Sequence, residues 1–459
     1  MITLVKYALP IAAAFFLIAF FTGLPDLTRC RLPHARAERM TRADWFLMAV
    51  VTLLYALLAF WNLGNTRSPE TFERMENRTA VLTLSAPAQP DSLMLFCGIG
   101  SSSYDIQVSF DGADYVTVHT YEQNSVSVLK WGPLTLFDVQ QPIVSLRVVC
   151  TSGVPWLGEV VLLDGSGSAL PLSCPEHPAL CDEADTVPLA SNFMNSSYFD
   201  EIYHARTAWE HLNGVWPYEI SHPPLGKEIL SLGILLFGMT PFGWRFSGTL
   251  FGVLMLPILY VLLKRLFGGK AVPCLGTLLL ASDFMHFVQT RIATIDTYSV
   301  FFILLMYLFM YVYLREDSLA ALALCGLSFG LGAASKWTSL YAGAGLAVLW
   351  AADWVLRAHT QRLALAGKGP APRKSVSFGA FAANAGFCVL FFILLPCLIY
   401  YLSYLPYGRA QGVSPFSAQY LRIVLDNQRF MFNYHSDIVA EHPYSSRWYQ
   451  WLLNIRPIL

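Results

Sequence analysis

Charged residues are scarce in this sequence. Only 13% of its 459 residues are Asp, Glu, Lys or Arg, about half the fraction usual in a soluble domain, whereas 55% are hydrophobic. This composition indicates an integral membrane protein. The net charge of −1 offers no clustered positive charge to hold phosphate backbones, which argues against nucleic acid as a partner.

Cysteine clusters with metal-binding spacing are also missing, which excludes a structural zinc site of the finger type. Four cysteines fall in a segment expected outside the membrane, where disulfides form: Cys97, Cys150, Cys174 and Cys181. They allow three pairings. Cys174 with Cys181 is the most local pair and Cys97 with Cys150 would join two strands, but spacing does not decide between the pairings.

Eight apolar segments are long enough to cross a bilayer, which requires roughly 20 helical residues. The first has no clear small-residue cleavage site and is followed by five arginines, so we interpret it as an anchor rather than a signal peptide. The segments lie near residues 4–22, 44–61, 243–266, 272–289, 296–314, 318–335, 339–356 and 377–403.

The distribution of lysine and arginine predicts the orientation of these spans. When eight helices are threaded, the arginine-rich loop 29–42 and the basic loops 264–270 and 357–374 share one parity. Cytoplasmic loops carry an excess of Lys and Arg, so we assign these three to the cytoplasm. The region 62–242 and the tail 404–459 are then expected outside.

A segment of different character separates the second and third spans. From about residue 75 to residue 170, short alternating runs are punctuated by Gly, Asp-Gly, Pro and Ser, which predicts a small β-sandwich resembling the jelly-roll type. Such modules often hold sugars, and Trp131 and Trp156 are candidates to stack on one. We favour the alternative that both are core or interface residues of a spacer module.

The stretch after this module places charge beside the bilayer. It reads YFDEIYHARTAWEHLNGVWPYEISHPPLGKEIL, with Asp200 and Glu201 adjacent and with His222 and Lys227 in HPPLGK. A solvated loop would explain an isolated Asp-Glu pair. The other ionisable residues nearby make that explanation less satisfactory.

Three further ionisable residues fall at the expected outer ends of spans. They are Arg291 and Asp296 in QTRIATIDTYSVFF, and Lys336 in GAASKWTSLYAG. An anchor at the membrane interface would explain any one of them. Ionisable residues at such positions are usually paired or functional, and their convergence on one face of the membrane indicates a site.

The candidate site offers a base and several cations, and the sequence contains no nucleotide-binding loop. The reaction must therefore be one that a base and cations can catalyse. Transfer of a sugar from a lipid phosphate fits this requirement. The acceptor hydroxyl needs a base, whereas the departing phosphate is a stable anion that needs positive partners and no general acid. The lipid tail of the donor explains a site at the bilayer surface.

Five ordered motifs resemble the protein O-mannosyltransferase family of C-type, polyprenyl-phosphate-dependent glycosyltransferases. The resemblance runs from about Tyr198 to the end. It implies a polytopic α-helical membrane fold and inverting transfer of mannose from a polyprenyl (dolichol-type) phosphate carrier to Ser or Thr hydroxyls of exported proteins. The motifs are the stretch quoted above, PFGWRFSGTLFGVLMLPILYVLLKRLFG, TRIATIDTYSVFF, ASKWTSL and MFNYHSDIVAEHPYSSRWYQWLLNIRPI.

The resemblance also implies roles for single residues. Asp200 is expected to be the catalytic base, with Glu201 as its neighbour in the catalytic pair, and Arg291 is expected to hold the donor phosphate. The residues expected to bind substrate are His222, Lys227, Arg291, Asp296, Lys336, His442 and Arg447. No metal ligand is assigned. The expected cofactor is the lipid-linked sugar donor, polyprenyl-phosphate mannose, and a divalent metal stays open.

Two features depart from the usual pattern of the family. An extra N-terminal helix and the β-sandwich precede Asp200, and the sequence stops at Leu459, just after the RPI that normally leads into further spans. We therefore expect a C-terminally truncated member. We also expect a bacterial, multi-pass membrane protein with its site facing outside, and with a lipid-linked donor, an exported protein acceptor and membrane lipid as partners.

The resulting domain organisation has five parts. These are two transmembrane helices at 1–61, an extracytoplasmic β-sandwich at 62–175, an extracytoplasmic catalytic loop at 176–242, a bundle of about six spans at 243–403 and an extracytoplasmic loop at 404–459. Two alternative functions remain. One is a related lipid-phosphate glycosyltransferase that modifies a glycolipid or cell-wall polymer with another sugar, and the other is a non-catalytic sugar-binding receptor or transporter.

Overall fold

The computed structural model describes residues 39–136, 139, 141–369, 376–437, 446–451 and 455. Within these ranges the chain forms a bundle of apolar helices and a two-sheet β domain, which is inserted after the first described helix. This arrangement agrees with the predicted fold class, a polytopic α-helical membrane protein with an inserted β-sandwich. The predicted span at 4–22 and most of the arginine-rich loop lie outside the described residues.

The helices are numbered here in chain order. A π-helical turn, Leu390–Leu394, connects the tenth helix to the eleventh. The helices are α1 (Arg42–Phe60), α2 (Glu201–Asn213), α3 (Leu225–Phe237), α4 (Pro241–Phe267), α5 (Ala271–Ala281), α6 (Phe284–Thr290), α7 (Asp296–Glu316), α8 (Leu319–Ser335), α9 (Thr338–Leu365), α10 (Phe378–Val389), α11 (Leu395–Leu402), α12 (Leu405–Ala410), α13 (Ala418–Asp437) and α14 (Trp448–Trp451).

Five of the described helices are long and apolar enough to cross a membrane. They are α1, α4, α7, α9 and the continuous segment Phe378–Ala410, which includes α10 to α12. The number rises to six if α5 and α6, which are bent by 58°, form one broken span, and α8 is a shorter apolar helix. The seven predicted segments from 44–61 onward therefore each fall on helix. The fourth predicted span, 272–289, crosses the break between α5 and α6, where the Asp283 side chain caps α6.

The surface of α1 shows why a bilayer is the expected surrounding. Its buried residues recur every three or four positions and contact other helices, at Met48, Val51, Tyr55 and Ala59. Its leucines on other faces, such as Leu57, are more than half exposed. In water such a surface would be strongly unfavourable, whereas lipid tails solvate it.

The β domain consists of two packed antiparallel sheets. The strands are β1 (Glu73–Arg74), β2 (Thr79–Ala88), β3 (Ser92–Cys97), β4 (Ser102–Ser109), β5 (Val116–Gln123), β6 (Trp131–Thr135), β7 (Ile143–Gly153), β8 (Trp156–Leu163), β9 (Ala169–Leu170) and β10 (Leu172–Ser173). One sheet has the strand order β1-β8-β3-β6, with β9 beside β8, and the other has the order β10-β2-β7-β4-β5.

The two sheets have different surroundings, as the burial patterns of their strands show. Residues of β4 alternate between buried and partly exposed along most of the strand, as expected when one face packs on a core and the other faces water. Residues of β3 and β8 are buried almost continuously. Both faces of the β8-β3 sheet are therefore covered, one by the second sheet and the other by the helical part of the protein.

The sandwich and α2 share one hydrophobic core. Phe96 and Trp131 of the sandwich belong to the same buried cluster as Ala205 and Ala208 of α2. The Trp156 ring lies 5.8 Å from that of Trp209 in α2. Trp131 is only 2% exposed, so the sugar-stacking hypothesis is wrong for Trp131 and its interpretation as a core or interface residue is confirmed. Trp156 is partly exposed, and its contact with Trp209 favours the same interpretation. A loosely tethered spacer would not share a core in this way.

All eight described cysteines are free thiols. Cys97 and Cys150 are both buried in the core between the two sheets. Burial raises the pKa of the Cys97 thiol to about 12. The described cysteines are therefore not joined in disulfides in this structure, and the three possible pairings of Cys97, Cys150, Cys174 and Cys181 stay predictions.

The orientation of the bundle can be tested by labelling. We expect an impermeant maleimide to modify Gly165→Cys, where a Cβ meets no atom within 4 Å, in intact cells. Ala366→Cys, in the exposed loop after α9, should react only after permeabilisation. Ala366 is preferable to the neighbouring Gly367, whose φ of +69° disfavours a side chain. Equal labelling of both variants in intact cells would contradict the threading.

Candidate active site

The Glu201 carboxylate is the most completely bonded acidic group beside the expected base. It is 0% exposed. Oε1 accepts from Arg245 Nε at 2.6 Å and from the Ala293 amide at 3.1 Å. Oε2 accepts from Arg245 Nη2 at 2.7 Å and from the Tyr198 amide at 2.9 Å. Because each carboxylate oxygen accepts two hydrogen bonds, Glu201 is suited to hold the segment around Tyr198 in place and not to exchange protons with a substrate.

Arg245 comes from α4 and extends this anchor to other segments. Its guanidinium also donates to the carbonyls of Leu63 at 2.9 Å, Phe193 at 2.5 Å and Ser196 at 3.2 Å. A buried guanidinium is stable only when its charge and its N–H groups find partners, and here they do. Arg245 lies in the motif PFGWRFSGTLFGVLMLPILYVLLKRLFG, but no role was expected for it. A lone arginine near the start of an apolar span was the available signal.

Asp200 differs sharply from its neighbour. It precedes the first turn of α2, yet its side chain makes no capping hydrogen bond. It is half-buried, and no described residue donates a hydrogen bond to its carboxylate. The preceding residue, Phe199, has a φ of +54°, which is unusual for an aromatic residue and typical of backbone strain at functional sites. Asp200 is therefore the available carboxylate of the pair.

The electrostatic surroundings of Asp200 identify the groups that converge on it. Burial raises the pKa of its carboxyl group, and Asp296 raises it further. Lys336 and His222 act in the opposite direction. The charges of His222, Asp296 and Lys336, which were expected to share one site with Asp200, therefore all act on the Asp200 carboxyl group. These residues are separated by up to 136 positions along the chain.

Asp296 and Lys336 form an ion pair. The Lys336 Nζ atom lies 2.7 Å from Asp296 Oδ1, and the lysine side chain is 20% exposed. Asp296 is the first residue of α7, and Lys336 follows the last residue of α8. The packing of these two helices therefore holds the two side chains within bonding distance. Lys336 therefore offers a positive charge near Asp200 while Asp296 orients it.

The HPPLGK segment is organised by an acidic residue that sequence analysis did not single out, Glu219. Its Oε1 lies 3.1 Å from His222 Nδ1, and its other oxygen forms an ion pair with Lys227. Although burial raises the pKa of Glu219, the Lys227 charge and the His222 hydrogen bond hold it well below its usual range. Lys227 is fully buried and also donates to two backbone carbonyls, so it supports the loop, whereas His222 keeps an exposed edge.

Arg291 is placed differently from the expectation. Its guanidinium donates to the carbonyls of Ala59 at 3.0 Å, Trp61 at 2.7 Å and Asn62 at 2.9 Å, and it lies 4.6 Å from the Phe287 ring. These carbonyls belong to the end of α1 and would otherwise lack helical partners. Arg291 therefore joins α1 to the loop before α7, and most of its hydrogen-bonding capacity is used there.

The C-terminal part supplies a cover for the HPPLGK segment. Asn427 of α13 donates to the Ile220 carbonyl at 2.9 Å, and His435 Nε2 lies 2.9 Å from the Ser221 carbonyl. Of the two C-terminal residues expected to bind substrate, His442 lies outside the described residues. Arg447 is exposed, and its described hydrogen bonds stay within positions 447–450. The structure does not join Arg447 to Asp200.

Stability measurements can separate the two adjacent carboxylates. Glu201→Gln leaves the Arg245 charge buried without its counter-ion, which we expect to destabilise the fold by roughly 3–5 kcal/mol. Asp200→Asn removes a carboxylate whose pKa is raised on folding and whose ionised form therefore opposes folding at neutral pH, so its unfolding temperature should stay equal or rise. Thermal unfolding in detergent, with exposed Glu76→Gln as the matched control, would measure this. Equal unfolding temperatures for all variants would contradict the anchor role of Glu201.

Comparison with known families bears on this site. Residues 221–367, from Ser221 through α9, match the family model described as dolichyl-phosphate-mannose-protein mannosyltransferase. The match includes His222, Lys227, Arg245, Asp296 and Lys336. It begins after Asp200 and Glu201, which therefore lie outside the matched residues.

Curated relatives cover a wider part of the chain. A polyprenol-phosphate-mannose–protein mannosyltransferase of Mycolicibacterium smegmatis is 26% identical over 302 residues, 57% of this chain and 58% of the relative. A protein of the same description from Mycobacterium tuberculosis is 24% identical over 309 residues, 57% of each chain. The chain thus spans somewhat more than half the length of these relatives.

A solved structure of the S. cerevisiae protein O-mannosyltransferase complex bound to its sugar donor aligns with a TM-score of 0.40 and 17% identity, over 46% of this chain and 30% of that one. The family model and the named relatives agree with the residues described above. Over residues 221–367 the chain thus resembles dolichyl-phosphate-mannose-protein mannosyltransferases, and over 57% of its length it is similar to the named mycobacterial mannosyltransferases.

Proposed function

We propose that this protein transfers mannose from a polyprenyl-phosphate carrier to Ser or Thr hydroxyls of exported proteins, with Asp200 as the general base. The relatives from Mycolicibacterium smegmatis and Mycobacterium tuberculosis are named for this donor and for protein acceptors, which supports the choice of substrates. The expectation of an outward-facing site in a bacterial membrane is part of the proposal.

The observation that carries the proposal is the contrast within the Asp200-Glu201 pair. Glu201 is sealed by four N–H groups, whereas Asp200 is half-buried and accepts no described hydrogen bond. A base must reach the proton that it accepts, and a carboxyl with a raised pKa is a better proton acceptor than an ordinary one. Asp200 meets both conditions.

The proposed reaction is a single displacement. The acceptor oxygen attacks the anomeric carbon while the bond from that carbon to the phosphate oxygen breaks, and the bonding electron pair leaves with the phosphate. The hydroxyl proton passes to an Asp200 oxygen, so charge balances without a general acid. Attack opposite the departing phosphate inverts the anomeric configuration.

Lys336 is a positive group beside Asp200 that is available for the lipid phosphate. We assign the phosphate to Lys336, which is partly exposed and held by Asp296, and to His222 as a hydrogen-bonding partner held by Glu219. These two replace Arg291, because the described bonds of Arg291 go to the end of α1. Preorganised cations of this kind stabilise developing charge on the leaving group without rearranging during the reaction.

The proposed substrates can be tested by the fate of a labelled sugar. Membranes containing the protein are supplied with radiolabelled polyprenyl-phosphate mannose, and the label is partitioned between protein and lipid fractions. We expect label on protein that is released by β-elimination, as an O-linked sugar would be. Label confined to lipid would favour the glycolipid alternative, and no transfer from any polyprenyl-phosphate sugar would contradict the proposal.

Replacing the base should affect turnover far more than binding. Asp200→Asn keeps the shape of the side chain and removes its basicity, so we expect turnover to fall by about 10²–10⁴-fold with little change in donor binding. Single-turnover assays on folded, purified protein would show this, with exposed Asp114→Asn as the control. A near wild-type rate for Asp200→Asn would assign the base elsewhere.

The pH dependence offers a second test of the same residue. Because Asp200 must be ionised to act, the rate should fall as the pH drops through its raised pKa. Lys336→Met removes a charge that lowers this pKa, so the acid limb of kcat/KM should move to higher pH. Asp296→Asn removes a charge that raises it, which should move the limb to lower pH. Identical acid limbs in both variants would contradict the assignment of Asp200.

A further inference from the structure

The β-sandwich contains a buried carboxylate that the proposed transfer reaction does not use. Glu159 of β8 is 0% exposed. One of its oxygens, Oε2, accepts from the Glu183 amide at 3.2 Å. The other, Oε1, is buried and finds no hydrogen-bond partner in the described ranges. An unpaired buried carboxylate oxygen is unfavourable by more than a neutral group would be, so it requires an explanation.

Two other carboxylates meet Glu159. One oxygen each of Glu159, Asp182 and Glu183 lie within 4.8 Å of one another. Burial raises the pKa of Glu159 to about 8, and the charges of Asp182, Glu183 and Asp185 add to this effect. Three carboxylates at this separation repel one another unless a positive charge lies among them.

The protein groups around the cluster do not supply that charge. Glu183 Oε2 accepts from the amides of Glu70 and Thr71 and from the Thr71 hydroxyl, at 2.7–3.0 Å, and Asp182 accepts from the same hydroxyl at 3.1 Å. These donors are all neutral. The nearby Arg67 pairs with Asp185, and no described ion pair reaches Glu159, Asp182 or Glu183.

We propose that Glu159, Asp182 and Glu183 bind a divalent cation of the calcium type. The donor set is entirely oxygen, which disfavours zinc and copper and suits hard cations. Glu159 is buried whereas Asp182 is exposed, so water can complete the six to eight ligands that calcium takes. Magnesium demands a tighter and more regular shell. The cation would approach the oxygen of Glu159 that the protein leaves unpaired.

The position of this cluster gives the cation a structural consequence beyond the proposed transfer. Glu159 lies in β8, and Glu183 holds the chain at residues 70–71, between α1 and the sandwich. Asp182 and Glu183 also begin the stretch that leads from the sandwich to Asp200. A cation here would stabilise both segments that connect the sandwich to the helical bundle, the one at residues 70–71 and the one that begins at Asp182.

The test uses the full chain in detergent after treatment with a chelator. We expect millimolar calcium to raise the unfolding temperature by several degrees, as a ligand that binds only the folded state does, and magnesium to raise it less. Terbium, a luminescent substitute for calcium, should bind with emission that calcium displaces. Neither readout depends on transferase activity, so failure of the proposed function would leave this result unaffected.

Variants assign the binding to the cluster. Glu159→Gln should abolish the calcium-dependent shift, and Asp182→Asn, at the exposed rim, should weaken calcium affinity at least about tenfold while leaving the unfolding temperature without calcium unchanged. Glu122→Gln, an exposed change in the same domain, should behave as wild type. The proposal is overturned if wild type shows neither shift nor terbium emission, or if both 159 and 182 variants bind calcium as wild type does. A protein that responds to pH near 8 but not to calcium would also overturn it, since a proton would then suffice.

Discussion

The ion pair between Glu201 and Arg245 is the constraint on which the rest of the site depends. It joins the start of α2 to α4, and through further hydrogen bonds it holds the Ala293 amide and the Ser196 carbonyl. The strength of such a pair comes from the absence of competing water, and its desolvation is offset only because every charged atom has a partner. Loops that would otherwise be mobile are therefore held in one arrangement.

Asp200 draws its properties from that arrangement. The Glu201 carboxylate accepts the hydrogen bonds from the loop and pairs with the buried Arg245. Asp200, the residue before it, has neither a described hydrogen bond to its carboxylate nor a buried counter-ion. The strained φ of Phe199 is the conformational cost of presenting Asp200 in this way, and the fixed Glu201 is what sustains it. Two chemically similar neighbours thus serve as support and as proposed base.

Much of the fold was predictable because it depends on local pattern. Apolar runs of about twenty residues mark spans, and alternating runs mark the sandwich. The convergence of Asp200, Asp296 and Lys336 was predictable because parity places the ends of spans on one face of a membrane. The phosphate-binding role expected for Arg291 stays a prediction, because the sequence shows a cation near the site but not the end of α1 whose carbonyls it contacts. Glu219 was missed because its partners are decided by tertiary packing.

The shared core of the sandwich and the bundle has a consequence for the order of assembly. Phe96 and Trp131 pack in one cluster with Ala205 of α2 and with Tyr298 of α7, which is made nearly a hundred residues later. Residues 198–201 therefore cannot settle when the sandwich first folds, because their final contacts arrive only with α4 and the loop before α7. The Asp200-Glu201 pair therefore reaches its final arrangement only after α4 and the loop before α7 have been made and α4 has entered the membrane.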